Sequence, residues 1–378
     1  MHPSVIKRKI RQRYRKLSKL TDKLFSRPYF KALFILNLIA LLNFYSVAGK
    51  KAFFSQVAVF TVGTILAVVI SNIKYDWVKK LAIPAYLSVC SLVFLVAMIG
   101  TKINGARRWL KIFNFTLQPT ELLKLALILM IGFYLESRIK PNTRNGRQYN
   151  LLDLIIPLVF MMLPLILVLK QPDLGTAIIC LTITGSILFF MGIEKKTFIL
   201  IIIVLFSGGF AGWKQLKPYQ KDRVANFLNP DMDYRGKNWQ SHQSLITFGS
   251  GGLLGKGTKR GSETQLGFLP ERETDFALAS LAEEHGFMAV GTVLFIINFI
   301  IMKLLFIARN ARDRFSAVIA IGVAFWIGCQ AIMNASMVMG LLPVVGIPFP
   351  LISYGGSSLL TILLAMGIIS NIERRNIT

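Results

Sequence analysis

LLDLIIPLVFMMLPLILVLKQPDLGTAIICLTITGSILFFMGI, Leu151 to Ile193, holds two apolar runs joined by a short polar connection, Lys170 to Asp173. A bilayer core about 30 Å thick takes about 20 apolar residues per helix, so the stretch reads as two membrane-crossing helices with a turn between them. Similar runs recur along the 378 residues, at about Phe30 to Ala48, Ala52 to Ser71, Leu81 to Ile99, Pro119 to Leu135, Thr197 to Trp213, Gly286 to Ala308, Phe315 to Leu342 and Leu351 to Ile369. A hydrophobic content of 54% and a mean hydropathy of +0.56 lie outside the range of soluble domains. The sequence therefore predicts an all-α polytopic membrane protein of about ten transmembrane helices with one large extracytoplasmic loop between spans 7 and 8. In segments, residues 1–28 form a basic arm, 29–213 the first seven spans, 214–285 the polar loop, 286–371 the last three spans and 372–378 a tail.

Short cytoplasmic loops collect Lys and Arg, whereas long translocated loops are exempt from that bias. Lys7, Arg8, Lys9, Arg11, Arg13, Arg15, Lys16, Lys19, Lys23 and Arg27 precede the first span, and Lys74, Lys79, Lys80, Arg138, Lys140, Lys195, Arg309, Arg312 and Arg374 fall on the same side. Both termini are thus expected in the cytoplasm and the Lys214 to His285 loop outside. The net charge of +26 could suggest nucleic acid, but the basic arm abuts a span and much of the remaining charge sits in inner loops. Anionic lipid headgroups are the simpler partner, and no nucleic acid is implied. No small-residue cleavage site follows the first apolar run, so it reads as an uncleaved span. Cys90, Cys180 and Cys329 fall inside predicted spans and read as packing residues. No internal repeat is evident, which disfavours an inverted-repeat transporter.

Ionisable side chains in or beside spans are costly and mark candidate sites. In GARRWLKIF, Arg107 and Arg108 offer cationic forks suited to phosphate, and Trp109 suits the headgroup level; an ordinary interfacial anchor is the competing reading. In QPTELLK, Pro119 opens a helix and Glu121 and Lys124 share a face, as a structural ion pair or as polar lining. In KQPDLGTA, Asp173 is expected to cap the next helix. The prolines and glycines of GLLPVVGIPFPLISYGGSS forbid a regular helix, and broken backbone at membrane depth belongs where it is buried or lines a wet cavity. The polar loop carries Lys221, Arg223, Lys256, Lys259, Arg260 and Arg272, which could gather around an anionic ligand, and the string FLPERETD from Phe268 to Asp275. With Thr274 as helix cap, Asp275 and Glu283 would share one helical face. The alternative makes Asp275 a helix-dipole partner only.

Taken together, GARRW, QPTELLK, KQPDLGTA, YQKDRV, GKG, FLPERETDF, EEHG and GLLPVVGIPFPLISYGGSS, in that order, resemble the SEDS family of membrane peptidoglycan glycosyltransferases, closest to its rod-shape (RodA) branch. The resemblance implies a ten-span fold in the bacterial cytoplasmic membrane that polymerises lipid II on the outer face during cell elongation, releasing undecaprenyl diphosphate. It places the catalytic role on Asp275 and substrate roles on Trp109, Glu121 and Lys124. Glu273 stands where the family usually has His, so no role carries over for that position. The resemblance also implies a class B penicillin-binding protein (a transpeptidase) and other elongation-machinery proteins as partners.

The chemistry needs a base near the acceptor hydroxyl and cations for the leaving diphosphate. Asp275 is the expected base, and Arg107, Arg108, Lys256 and Arg272 the expected substrate-binding cations. An ordinary aspartate is a weak base at neutral pH, so burial or a divalent cation, Mg or Mn, would have to adjust Asp275, and no metal site is defined by the sequence. Direct displacement on an α-linked donor would invert the anomeric carbon. A lipid II flippase, or a noncatalytic scaffold for a transpeptidase, would use the same cavity without needing the loop carboxylate.

Overall fold

The computed structural model describes residues 26–103, 106–112, 115–137, 151–192, 196, 199–200, 203 and 239–377. Helix α1 (Pro28–Val47) opens with Pro28, whose missing N–H costs nothing in a first turn. It leads into α2 (Gly49–Asn72), a short α3 (Tyr75–Lys80) and α4 (Ala82–Ile99). Strands β1 (Thr101–Ile103), β2 (Ala106–Ile112) and β3 (Phe115–Leu117) then form an antiparallel sheet in the order β1-β2-β3. There follow α5 (Pro119–Ser137), α6 (Leu151–Lys170), α7 (Leu174–Phe190), α8 (Trp239–Ser250), α9 (Ser262–Gln265), α10 (Ala277–Arg309), α11 (Arg314–Val338) and α12 (Gly356–Ile377). The sheet corrects the all-α expectation: the chain is mostly helical, with a small β-structure carrying the GARRWLKIF string that the sequence reads as phosphate-binding cations or an interfacial anchor.

Among the described residues six helices, α1, α2, α4, α10, α11 and α12, are long and apolar enough to cross a membrane. Helices α6 and α7 are apolar but shorter by that measure, and α5 carries Glu121, Lys124 and Glu136. The expected seventh span and the first part of the polar loop lie almost wholly outside the described residues.

Helix α11 is the mast of the bundle, packed against α5, α7, α8, α10 and α12. Its most apolar stretch is 78% buried, against 22% for α2. In lipid, apolar side chains gain little by leaving the tails, so helices associate through close backbone approach. The α2–α12 contact follows that rule, because Gly367 stacks directly on the backbone of Ala67, and Gly63 receives Leu363. At one end of the bundle Tyr29 at the start of α1 donates to Glu373 of α12 at 2.9 Å, and Arg27 pairs with the same carboxylate. The first and last described helices therefore have their outer ends on one side. Nearby, Lys79 reaches Glu136 at 2.6 Å and Tyr75 donates to Asp313 at 2.6 Å, tying α3 and α5 to the α10–α11 turn. The opposite end carries the sheet, the polar loop and the proline-rich segment.

At that end α10 is interrupted at Gly286, whose φ of 73° and ψ of 178° lie in a region open to glycine alone. In an unbroken helix the amides of Phe287 and Met288 would donate to the carbonyls of Glu283 and Glu284. Instead those carbonyls accept from Lys256 N at 2.9 Å and Gly257 N at 2.8 Å. The freed amides donate to Gly252 O at 2.9 Å and Leu253 O at 3.2 Å. The segment 252–257 is thus spliced into the helix and satisfies both sides of the break. A Cβ on Gly286 would collide with the carbonyl of Leu253 and the amide of Gly255. Gly286→Ala is expected to cost about 1–3 kcal/mol in backbone strain alone and to expel the spliced segment. Limited trypsinolysis after Lys256, Lys259 or Arg260 should accelerate in the folded variant, and an unchanged cleavage rate would contradict the splice.

Candidate functional site

Pro119 opens α5 as its spacing predicts, and Glu121 and Lys124 meet one turn later, with Lys124 Nζ 2.7 Å from Glu121 Oε1. Both are buried, and the second oxygen of Glu121 has no hydrogen-bond partner among the described residues. Lys124 also lies 5.1 Å from the centre of the Trp326 ring and 3.4 Å from Gln330 Oε1. The pair is therefore braced from α11, and one carboxylate oxygen is left over.

Trp326, Gln330 and Asn334 stand four residues apart on α11 and form a ladder up one face of that helix. Trp326 Nε1 donates to Gln330 Oε1 at 2.8 Å, and Gln330 Nε2 donates to Pro348 O at 2.9 Å. Asn334 Nδ2 donates both to Ile347 O and to Asp275 O, each at 2.7 Å. One carboxamide thus fastens the proline-rich segment to the backbone of Asp275. Above it, a Cβ placed on Gly346 would sit 3.4 Å from Asp275 Oδ2. The reading of ionisable residues missed this ladder; its signal was amides recurring every four residues in an otherwise apolar helix.

The loop motif departs from the expectation. Helix α10 starts at Ala277 behind Phe276, and Thr274 caps nothing: its hydroxyl donates to Glu271 Oε2 at 2.7 Å. Asp275 therefore precedes the helix rather than sharing a face with Glu283. It sits half-buried in a turn in which Glu271 O accepts from Thr274 N at 3.1 Å and Phe276 N at 3.2 Å. Tyr354 N donates to Glu273 O at 2.7 Å, a second strap between this turn and the proline-rich segment. Burial pushes the Glu273 carboxyl up from its ordinary range and Glu271 adds to the shift, against the pull of Arg272.

On the sheet, Arg107 and Arg108 reach different neighbours. Arg107 is exposed and donates one N–H to Met98 O at 2.6 Å. Arg108 donates to Gln171 O at 2.8 Å and to Pro172 O, and lies 3.9 Å from Asp173. Asp173 caps α7 as expected, accepting from Thr176 N at 3.3 Å and Thr176 Oγ1 at 2.9 Å. Gln118 bridges to Asp173 at 3.4 Å and its amide donates to Ser357 at 2.9 Å. Trp109 is half-buried, with its carbonyl accepting from Thr101 Oγ1 at 2.9 Å.

The loop cations are engaged elsewhere. Lys256 pairs at 2.8 Å with Glu283, a fully buried carboxylate that also accepts from Glu263 N at 3.0 Å and Thr264 N at 2.9 Å. Arg272 donates to Thr264 O. Both act as struts of the loop. Lys221 and Arg223 lie outside the described residues. Among the described residues no three His, Cys, Asp or Glu side chains converge as metal ligands.

These converging strings have known counterparts. Residues 28–377 match the family described as "Cell cycle protein", comprising FtsW, RodA and SpoVE. The chain belongs to this family. It is 36% identical over 291 residues to the peptidoglycan glycosyltransferase MrdB of Escherichia coli, covering 76% of this chain and 77% of that one. It is 38% identical over 301 residues to a probable peptidoglycan glycosyltransferase FtsW of Tolumonas auensis, covering 79% and 76%. Among solved structures it resembles a chain described under structural coordination of polymerization and crosslinking by a peptidoglycan synthase complex, at 27% identity and a TM-score of 0.78, covering 92% and 97%. It also resembles the rod shape determining protein RodA of Thermus thermophilus, at 25% identity and a TM-score of 0.69, covering 93% and 97%. The resemblance to the SEDS family and the multi-pass membrane architecture are thereby shown for this chain.

Two outcomes test the geometry. Asn334→Ala removes the donor shared by the buried Ile347 carbonyl and the half-buried Asp275 carbonyl, at about 1–3 kcal/mol for the buried group by ordinary desolvation costs; the variant should lose polymerisation more than thermal stability, and normal activity would contradict the strap. Glu273 has a folded pKa above its unfolded one, so its contribution to stability is full below the unfolded value and is lost as pH rises through the folded value. Glu273→Gln should therefore melt higher than the parent at pH 7, and the gap should close in melts run below the ordinary glutamate range. A gap that is absent at pH 7 or persists in acid would contradict the buried setting of Glu273.

Proposed function

We propose that the chain is a peptidoglycan glycosyltransferase that polymerises lipid II by inverting transfer on the outer face of the bacterial cytoplasmic membrane, with Asp275 as the base. The observation that supports this reading is the Asn334 carboxamide, which fixes the Asp275 backbone and the proline-rich segment at 2.7 Å each, on a half-buried residue whose carboxylate lies beside Gly346. A base on a rigidly strapped turn can accept the proton of an incoming sugar hydroxyl without first being ordered.

The acceptor oxygen attacks the anomeric carbon as the bond to the diphosphate breaks; Asp275 takes the hydroxyl proton, and the undecaprenyl diphosphate leaves with the bond pair. Arg107, exposed and with most of its N–H groups uncommitted among the described residues, is the cation assigned to that diphosphate. Arg108 holds the sheet against the Gln171–Asp173 turn, so that Arg107 and Trp109 are presented from a fixed strand. Glu121 and Lys124 position this end of α5 against α11. Lys256 and Arg272 shape the loop rather than grip the substrate. No step is routed through a metal.

The orientation, with both termini cytoplasmic, rests on the basic arm and on Tyr29 meeting Glu373. Elongation rather than division is the cellular setting that follows from the RodA-like strings. A class B penicillin-binding protein is the partner, in keeping with the similar chain from a synthase complex.

Purified protein with its transpeptidase should make glycan chains from lipid II, and Asp275→Asn should lower the rate at least about 100-fold, the usual worth of a positioned base. The same assay run with Mg, with Mn and with chelator reads the metal requirement. Normal polymerisation by a folded Asp275→Asn would overturn the assignment. Lipid II translocation without polymer formation by the parent would favour the flippase.

A further inference from the structure

The polar loop contains a helix that is inside out. On α8 the buried side chains are Gln243, Ser244 and Thr247, whereas Trp239, Leu245 and Ile246 face outward. Gln243 donates to Glu263 and Ser244 donates to Val338 O at 3.0 Å, so the polar face is consumed by the protein. In water the apolar face would turn inward; the reverse arrangement is that of a helix whose solvent is hydrocarbon.

The turn after α8 continues the pattern. Leu253 and Leu254 are 69% and 81% exposed. They lie beside Phe287 and Met288, 53% and 61% exposed, because the splice binds Leu253 O to Met288 N. From there the outward face of α10 runs on through Phe295, Met302 and Phe306, along a helix long and apolar enough to cross the membrane. The exposed leucines are thus continuous with a lipid-facing surface.

The backbone gives an independent reason. A turn in water can leave its amides and carbonyls to the solvent, whereas a turn among acyl chains has to satisfy them within the protein. Here Gly252 O, Leu253 O, Gly255 N, Lys256 N and Gly257 N all have protein partners, four of them through the break at Gly286, and the amides of Leu253 and Leu254 have no backbone partner among the described residues. Just beyond the turn, Lys259 and Arg260 are exposed cations of the kind that anionic headgroups attract.

We propose that the outward face of α8 and the Gly251–Gly257 turn form a membrane foot, with Leu253 and Leu254 set among the acyl chains of the leaflet on the side of the Asp275 site. The occupant of this surface is bilayer lipid. The foot fixes the height of the loop, and with it the Asp275 turn, relative to the headgroup plane at which a lipid-linked sugar stands.

The test is site-directed spin labelling of the full chain in nanodiscs of phosphatidylethanolamine and phosphatidylglycerol, in a background with Cys90, Cys180 and Cys329 replaced by alanine. Labels are placed at Leu254→Cys, at Phe295→Cys as the lipid reference and at Asn310→Cys as the water reference. The expected result is a ratio of oxygen to nickel-chelate collision rates at Leu254 several-fold above that at Asn310 and similar to that at Phe295. A nickel-dominated ratio at Leu254 would place the turn in water and overturn the proposal. Exclusion of both reagents would mean that a protein surface, a second copy or a partner, covers it, and would overturn it equally.

Discussion

The backbone from Met339 to Gly355 is not helical, yet it runs at the end of a bundle of apolar helices, where every peptide group needs a partner from the protein. Much of the architecture follows from meeting that need. Gln330 and Asn334 supply donors from the rigid mast of α11, Ser353 accepts from Phe349 N at 2.7 Å, and Tyr354 donates to the carbonyl of Glu273. The same bonds that satisfy the irregular segment also bring the Asp275 turn against it. Closing off the broken backbone and building the site are one structural act.

The break in α10 solves the same problem by another route. Rather than side-chain amides, it uses an exchange of backbone partners, with the segment 252–257 standing in for the missing helical turn. The exchange holds because Glu283 and Glu284, on either side of the helix, each clamp part of the loop. Glu284 accepts from Ser46 at 2.5 Å, Lys259 N at 3.1 Å and Gln265 at 3.0 Å, joining α1 to the loop. Lys256 bonds to the first of these carboxylates, Glu283, at 2.8 Å and to Ser262 Oγ at 3.0 Å. Removing a lysine from such a pair would strand a buried charge, a larger penalty than the pair contributes when whole.

The apolar runs were legible because a bilayer fixes helix length, and seven of the ten expected spans lie within about four residues of described helices, whereas α10 begins nine residues earlier than expected and α12 is shifted to Gly356–Ile377. Pro119 and Asp173 were legible because helix starts have local chemistry. Thr274 misled because a threonine ahead of an apolar run looks like a cap, while its hydroxyl had a nearer carboxylate in Glu271. The sheet was missed because lysines and arginines beside a span read as an anchor. The pair Asn104-Gly105 between β1 and β2 was the hairpin signal available in the sequence. The α11 ladder was hidden for a different reason: Gln330 and Asn334 carry no charge, so a search for costly ionisable groups passes over them, although a buried carboxamide with unmet bonds is nearly as demanding.

The division of labour between Arg107 and Arg108 follows from the pleat. Successive residues of a strand project to opposite sides, so two adjacent arginines on β2 cannot close on one phosphate as a pair. The structure gives one of them to the scaffold, where it donates to Gln171 O and Pro172 O, and leaves the other in the open. A cation already committed to protein carbonyls is a poor partner for a charge that appears only as a bond breaks, whereas an exposed fork on a braced strand is already oriented, which is the basis for assigning the diphosphate to Arg107. The same logic applies to Asp275: its carbonyl accepts from Asn334, so the backbone of this half-buried residue is fixed by the same helix that holds the proline-rich segment.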